Sequence, residues 1–207
     1  MKPQVRILCV AAAVGLATSL AGAVTSQAQA PASAARYTKD GKLEYPADYR
    51  TWIFLSAGVD MAYSEAAKAM AAGGRHAFDN VFVDRAAYAS FLKTGTWPDG
   101  TVMMLEVRRG DTKGSINQGG QFQTDRLGYE AHVKDSKRFK SGWAFFGFRG
   151  EGPGNELPQT SDCNVCHQDH GAVDTTFVQF YPTLMPIAKA KGTLSDKYVA
   201  EEKAAVK

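Results

Sequence analysis

The sequence contains very little cysteine, and this scarcity excludes a fold held together by disulfides. Only three cysteines, Cys9, Cys163 and Cys166, occur among its 207 residues. Small secreted domains that depend on disulfides carry several cysteine pairs, and no such framework can be drawn here. No internal repeat is present either. The two neighbouring cysteines near the C-terminus must therefore have another role.

Long apolar runs are also absent, except at the N-terminus. Residues 1–6 form a short, positively charged segment, and residues 7–24 are almost wholly apolar and small. Small residues then follow at the spacing of a signal-peptidase cleavage site. This is the pattern of a secretory signal peptide cleaved after Ala28 or Ala30. An uncleaved membrane anchor is the alternative, because the run approaches the length that a bilayer requires. A lipoprotein anchored at Cys9 is disfavoured, because no small residue stands directly before that cysteine.

The sequence also lacks a large excess of positive or negative charge. Loss of Lys2 and Arg6 with the signal peptide leaves 22 basic residues against 21 acidic ones, a formal charge of +1. Nucleic-acid-binding domains carry a basic stripe and a high pI, so no nucleic-acid partner is expected. We expect a soluble protein without a membrane span, periplasmic or otherwise exported.

Apolar segments that alternate with turn signals indicate an α+β fold, predominantly β, with an antiparallel sheet flanked by short helices. Strands are predicted at residues 53–55, 78–83, 101–109, 121–133 and 143–149. Helices are predicted at residues 65–72, at 85–93 between an Asp84 N-cap and Gly95, and at 184–190. The predicted segments are a cleaved signal peptide (1–28), a flexible lead-in (29–44), one folded domain (45–190) and a C-terminal tail (191–207).

The last two cysteines belong to the motif Cys163-Asn164-Val165-Cys166-His167 in the C-terminal part of the domain. This spacing puts the thiols one helical turn apart, so both can add to the vinyl groups of one haem, and the histidine then lies under the iron. A thioredoxin-like motif requires a βαβ context, and a structural zinc site requires a second pair of ligands. We therefore predict one covalently attached haem c, held by Cys163 and Cys166, with His167 as the axial iron ligand.

The ligand on the other side of the iron distinguishes an electron carrier from a ligand-binding haem. The candidate methionines are Met61, Met70, Met103, Met104 and Met185. Met185 is preferred because it follows the motif and stands beside Pro186, although methionine often only fills a core. The other histidines, His76, His132 and His170, are expected to lie at the surface or to have satisfied hydrogen bonds. A late motif in a β-rich chain is not typical of small all-helical electron carriers.

Several stretches resemble the cytochrome P-460 family, which includes the cytochromes c′-beta. They are residues 49–52, 81–84, 93–95, 99–102, 133–139, 143–146, 163–168 and 177–182. Together they cover residues 45–184 in the family's order. The resemblance implies a predominantly β, homodimeric protein with one five-coordinate haem c near its C-terminus. It also implies a small ligand (nitric oxide, carbon monoxide or hydroxylamine) and a redox partner cytochrome.

The resemblance implies two activities, which differ in the distal pocket. Cytochromes P-460 oxidise hydroxylamine and link a lysine to the haem macrocycle, whereas c′-beta members lack the link and bind nitric oxide or carbon monoxide. The resemblance puts Leu105 at the lysine position, where no link can form, and Asp79 near the distal arginine of hydroxylamine-oxidising members. Further candidates for the distal pocket are Phe78, Phe82 and Trp97.

An apolar distal face favours neutral diatomic ligands, because buried polar groups without partners are costly. No titratable group for acid–base chemistry is apparent at this place in the sequence. We therefore expect binding of nitric oxide. Hydroxylamine oxidation and electron transfer by a His/Met haem with Met185 remain the alternatives.

Overall fold

A computed structural model describes residues 35–205. The predicted signal peptide and residues 29–34 of the predicted lead-in lie outside the described residues. Within the described part, no helix combines the length and the apolar composition that are needed to cross a membrane.

One antiparallel sheet of six strands forms the centre of the fold, and its strands are neighbours in chain order. The strands are β1 (Ile53–Val59), β2 (Ala77–Val83), β3 (Val102–Asp111), β4 (Phe122–Lys134), β5 (Trp143–Gly147) and β6 (Asn155–Glu156). The α-helices among the described residues are α1 (Glu65–Ala72), α2 (Arg85–Thr94), α3 (Asp162–His170), α4 (Met185–Lys191) and α5 (Asp196–Ala205). The predicted α+β class, mostly antiparallel β, is confirmed.

The two faces of the sheet are separated by the alternation of side chains along each strand. Val81, Leu105 and Glu130 are paired across β2, β3 and β4 and share one side, here called the cavity face. Their neighbours Phe82, Met104 and Ala131 share the opposite side, here called the network face. Each face is covered by its own hydrophobic cluster, so a one-residue change of register would exchange their contents.

Helix α2 packs on the cavity face, and capping residues determine where it begins and ends. The Asp84 side chain accepts a hydrogen bond from the Ala87 N–H at its N-terminus and another from the Val102 N–H of β3. Gly95 ends the helix in the left-handed conformation (φ 76°), which glycine adopts without steric cost. One capping side chain thus fixes both the helix and the strand that follows it.

Described residues of the predicted flexible lead-in and of the predicted C-terminal tail pack against the domain. In residues 35–44, Leu43 is only 1% exposed, and it bridges to Tyr37 and Gly154. Helix α5 lies in the predicted tail, and its Tyr198 is buried in the cluster on the cavity face. Both segments are polar in composition, and contacts with distant residues hold them: Leu43 exchanges backbone hydrogen bonds with Gly154, and the Ser195 N–H donates to the Ala172 carbonyl.

Candidate functional site

The motif predicted to attach haem lies on helix α3. The Ser161 side chain accepts a hydrogen bond from the Asn164 N–H at the start of this helix, and the Asn164 side chain donates to the Pro158 carbonyl at 3.0 Å. Residues three apart share one face of a helix. Cys163 and Cys166 therefore point to the same side, and both are free, half-buried thiols.

A cavity of about 460 Å³ lies between α3 and the cavity face of the sheet. This volume falls within the range of about 300–1,000 Å³ that is usual for cofactor and small-molecule sites. Its lining includes Cys163, Cys166 and His167 from the helix, together with Asp79, Leu105 and Glu130 from the sheet. The fold thus brings the attachment motif and two of the predicted distal residues, Asp79 and Leu105, to one cavity.

His167 is held in the form that binds a metal. Its Nδ1 lies 2.7 Å from the Thr175 carbonyl oxygen, and a carbonyl only accepts, so Nδ1 carries the proton and Nε2 is bare. Burial lowers the pKa of His167 to about 4, although the hydrogen bond to Thr175 opposes this shift. A neutral imidazole whose second nitrogen donates to a backbone carbonyl is the usual state of a metal-binding histidine.

The Thr175 carbonyl is fixed by the loop that follows α3, residues 171–177, here called the proximal loop. A Cβ atom at Gly171 would lie 2.7 Å from the His167 carbonyl oxygen and 2.9 Å from the Thr175 carbonyl carbon, so this close approach requires glycine. The Thr176 hydroxyl accepts from the Trp97 indole N–H at 2.8 Å. The loop is thus anchored on both sides of Thr175.

The thiols show no sign of disulfide chemistry or metal binding by the protein alone. Burial raises the pKa of Cys163, with a further contribution from Glu130, and burial also raises that of Cys166. Thiols that perform disulfide exchange have lowered pKa values. Among the described residues, no group of three or more His, Cys, Asp or Glu side chains is arranged to hold a metal ion. Attachment of haem is the role that these two thiols fit.

His132 was expected at the surface or in a satisfied environment, and the structure corrects this. It is 5% exposed, and its ring stacks on Phe145 with centroids 3.9 Å apart. Its Nδ1 is buried and has no hydrogen-bond partner among the described residues, which costs about 1–3 kcal/mol if it persists. His132 belongs to the lining of the cavity, and its ring meets that of His167 edge to face with centroids 5.1 Å apart.

Three aromatic residues predicted for the distal pocket lie outside the cavity. Phe78 and Phe82 alternate with Asp79 along β2 and therefore point to the network face, where the Phe82 ring lies 5.4 Å from that of Tyr49. The Trp97 ring packs 4.3 Å from Phe91 in the core. The apolar character of these rings did not indicate which face of the sheet each would occupy. Leu105 and Asp79, by contrast, do line the cavity.

The cavity is not lined by apolar side chains alone, because it also holds two carboxyl groups: Asp79, which was predicted there, and Glu130, which was not. Glu130 of β4 pairs with Leu105 of β3; burial raises its pKa, with a smaller contribution from Asp79. Burial likewise raises the pKa of Asp79, helped by the charge of Asp60. No lysine or arginine belongs to the described lining. The alternation of polar residues at 130 and 132 with apolar neighbours was the sequence signal that could have identified Glu130.

The methionine preferred from the sequence as an iron ligand, Met185, does not line the cavity, whereas two other methionines do. Met185 begins α4 and packs against the core cluster, and it is not part of the lining. Met61 and Met103 do line the cavity, and the Tyr63 hydroxyl donates to the Met61 sulfur at 3.7 Å. If a methionine completes the coordination of an iron here, Met61 and Met103 are better placed than Met185.

Comparison with known proteins points to the same region of the chain. A family model described as Cytochrome P460 matches residues 46–178. The match begins before β1 and ends just after the proximal loop, so it includes the motif on α3, Leu105 and Glu130. A search of curated proteins found no significant match.

Proposed function

Because the chain belongs to the cytochrome P460 family, we propose that it is an exported monohaem c-type cytochrome whose five-coordinate haem binds small neutral ligands such as nitric oxide. The observation that carries this proposal is the state of His167. Its Nδ1 is bonded to the Thr175 carbonyl, its Nε2 is bare, and it shares one cavity with both cysteines.

The residues on α3 would hold the haem through two thioether bonds. The Cys163 and Cys166 thiols would each add across one vinyl group, with sulfur bonding to one carbon and hydrogen to the other. His167 would supply a nitrogen ligand to the iron through Nε2. The bound haem would supply an iron that can take up small molecules.

The lining of the cavity supports a preference for neutral ligands. Leu105 stands where the resemblance puts the linking lysine, and a leucine forms no bond to the macrocycle. Asp79 and Glu130 provide carboxyl groups, and no described lysine or arginine in the lining offsets them. An anionic ligand would therefore meet either a buried group of like charge or an apolar wall, and both are unfavourable.

Hydroxylamine oxidation is the second candidate, and the two carboxyl groups are the observation in its favour. General acid–base chemistry requires a titratable group near the substrate whose pKa is close to the working pH. Burial moves the pKa values of Asp79 and Glu130 upward, in this direction. The absence of a lysine at position 105 weighs against it, because the enzymatic members carry the lysine link.

Two measurements on the purified, exported protein separate these functions. The intact mass should equal the mature chain plus one haem, without the loss of hydrogens that a lysine link would cause. Nitric oxide should change the ferrous optical spectrum with simple saturation, and hydroxylamine with an added electron acceptor should not turn over. Steady hydroxylamine oxidation would instead favour the second candidate. Variants Cys163→Ala and Cys166→Ala serve as controls, because each should lose one thioether bond.

The proposal also includes periplasmic location, a homodimer and a redox partner cytochrome. Export is supported by the N-terminal pattern of residues 1–28, and the other two come from the family resemblance. Edman sequencing of the periplasmic protein should begin after Ala28 or Ala30. Sedimentation equilibrium should give twice the mass of the mature chain. A cytoplasmic haem-free product or a monomer would contradict the corresponding part.

A further inference from the structure

A chain of two hydrogen bonds joins His132 on the sheet to His167 on α3. The His132 Nε2 lies 3.3 Å from the Thr175 hydroxyl oxygen, and the carbonyl oxygen of the same Thr175 accepts the proton of His167 Nδ1 at 2.7 Å. The two imidazole rings also meet edge to face, with centroids 5.1 Å apart. Thr175 therefore touches both histidines, one through its side chain and the other through its backbone.

We infer that His132 is a positioning residue for the axial ligand: by holding the Thr175 hydroxyl, it sets the angle and strength of the Thr175 carbonyl bond to His167. The inference rests on the proposed function, because it concerns the ligand of a bound haem. It gives a role to a buried histidine that the attachment motif does not require.

His132 is suited to this role because its own position is rigid. It lies near the C-terminal end of β4, and its ring packs against Trp143, with centroids 4.4 Å apart, and against Phe145, stacked at 3.9 Å with planes inclined by only 10°. Its register is fixed by pairing with Met103 on one side and Phe145 on the other. The proximal loop is thus hydrogen-bonded to the sheet through His132 and to the segment between α2 and β3 through Trp97.

A partner in the second shell controls how strongly a histidine donates to its metal, because a stronger bond from Nδ1–H makes Nε2 more basic. If the Thr175 hydroxyl loses its partner, the carbonyl is free to tilt and its bond to His167 weakens. The iron–histidine bond should then weaken, and the reduction potential should rise. Neither change follows from a purely structural role of His132 in packing the core.

Resonance Raman spectra of the full-length ferrous holoprotein, with redox titration, test this inference. Thr175→Val removes the hydroxyl but keeps the carbonyl, and His132→Phe keeps the ring stack but removes Nε2. Thr175→Ser keeps the hydroxyl and should restore wild-type values. Asp174→Asn is the matched control, because it loosens the same loop by removing the ion pair with Lys134 (3.0 Å) and leaves the Thr175 hydroxyl in place.

We expect the iron–histidine stretching band to shift to lower wavenumber in Thr175→Val and in His132→Phe, and to shift no further in the double variant, because both remove one interaction. Wild-type band and potential in Thr175→Val, with haem fully attached, would overturn the inference, as would an equal shift in Asp174→Asn. If His132→Phe does not retain haem, Thr175→Val decides. Lack of haem in the wild-type protein would instead refute the proposed function itself.

Discussion

Two glutamates on adjacent strands, the buried Glu106 of β3 and the half-buried Glu130 of β4, lie on opposite faces of the same sheet and in opposite electrostatic environments. Glu106 is 1% exposed and accepts hydrogen bonds from the Arg108 and Arg50 guanidinium groups and from the Tyr49 hydroxyl. Burial alone would raise the pKa of Glu106, but these three donors outweigh it and hold the pKa below its ordinary value.

Among the described residues, Glu130 has no such hydrogen-bonding partners. It lines the cavity with Asp79, no described lysine or arginine shares that lining, and burial raises its pKa. A buried carboxylate that is fully paired stabilises its surroundings, whereas one left without a cation is costly and is typical of functional sites. The contrast indicates that the network face holds the sheet together and that the cavity face is built for chemistry.

The largest effect is expected on the network face. Glu106→Gln leaves the Arg108 and Arg50 guanidinium groups without their anion, so the free energy of unfolding should fall by about 3 kcal/mol. Urea denaturation of the holoprotein measures this change. The optical spectrum of the folded variant should match the wild type, and a spectral change would show that the two faces are not independent.

On the cavity face, Asp79→Asn and Glu130→Gln should change the unfolding free energy by less than about 1 kcal/mol in either direction. They should instead affect ligand choice, because each removes a carboxylate near the ligand. We expect azide to bind the ferric variants about tenfold more tightly above neutral pH. Spectral titration provides the affinity. Glu156→Gln on β6, an exposed position, is the matched control and should leave it unchanged.

The two faces should also respond to pH with opposite sign. Glu106 has a depressed pKa, so its stabilisation is present above its unfolded pKa of about 4.3 and is lost as pH falls through the folded value. Asp79 and Glu130 have raised pKa values, so the stability present below their unfolded pKa is lost as pH rises through the folded values. Denaturation at several pH values gives the unfolding free energy as a function of pH. This dependence should become weaker at acid pH in Glu106→Gln and weaker near neutral pH in Glu130→Gln. The same change in both variants would contradict the assignment.

The smallest effect is expected from the methionines. Met61→Leu and Met185→Leu should leave the ferric and ferrous spectra unchanged, since neither sulfur is proposed as an iron ligand. Met61 lines the cavity and Met185 does not. The two variants therefore also distinguish an iron ligand at Met61 from one at Met185. Loss of a Met-to-iron charge-transfer band in either variant would identify that methionine as the sixth ligand.

The parts of the fold and site that could be predicted from the sequence are those with local signals. Asp84 and Gly95 mark the ends of α2 by capping chemistry, and the spacing from Cys163 to His167 specifies two thiols and a histidine on one helix. The antiparallel sheet followed from short alternating segments and turns. In each case the residues that interact are close together in the chain.

The remaining features depend on contacts between distant residues. The partner of His167 is a backbone carbonyl, and the identity of Thr175 carries no signal for that bond. Phe78, Phe82 and Asp79 are all predicted in one pocket, yet Asp79 lies on one face of β2 and the two phenylalanines lie on the other, a difference that depends on the pairing of β2 with β3. Glu130 became a cavity residue only through its pairing with Leu105 across two strands.

The optical and EPR spectra of the purified ferric protein, and of the ferrous protein before and after addition of carbon monoxide, test the central proposal most directly. An open-faced haem c on His167 predicts a high-spin ferric signal, a five-coordinate ferrous spectrum and a complete shift with carbon monoxide. A low-spin ferric signal with a Met-to-iron charge-transfer band, together with no response to carbon monoxide, would contradict it.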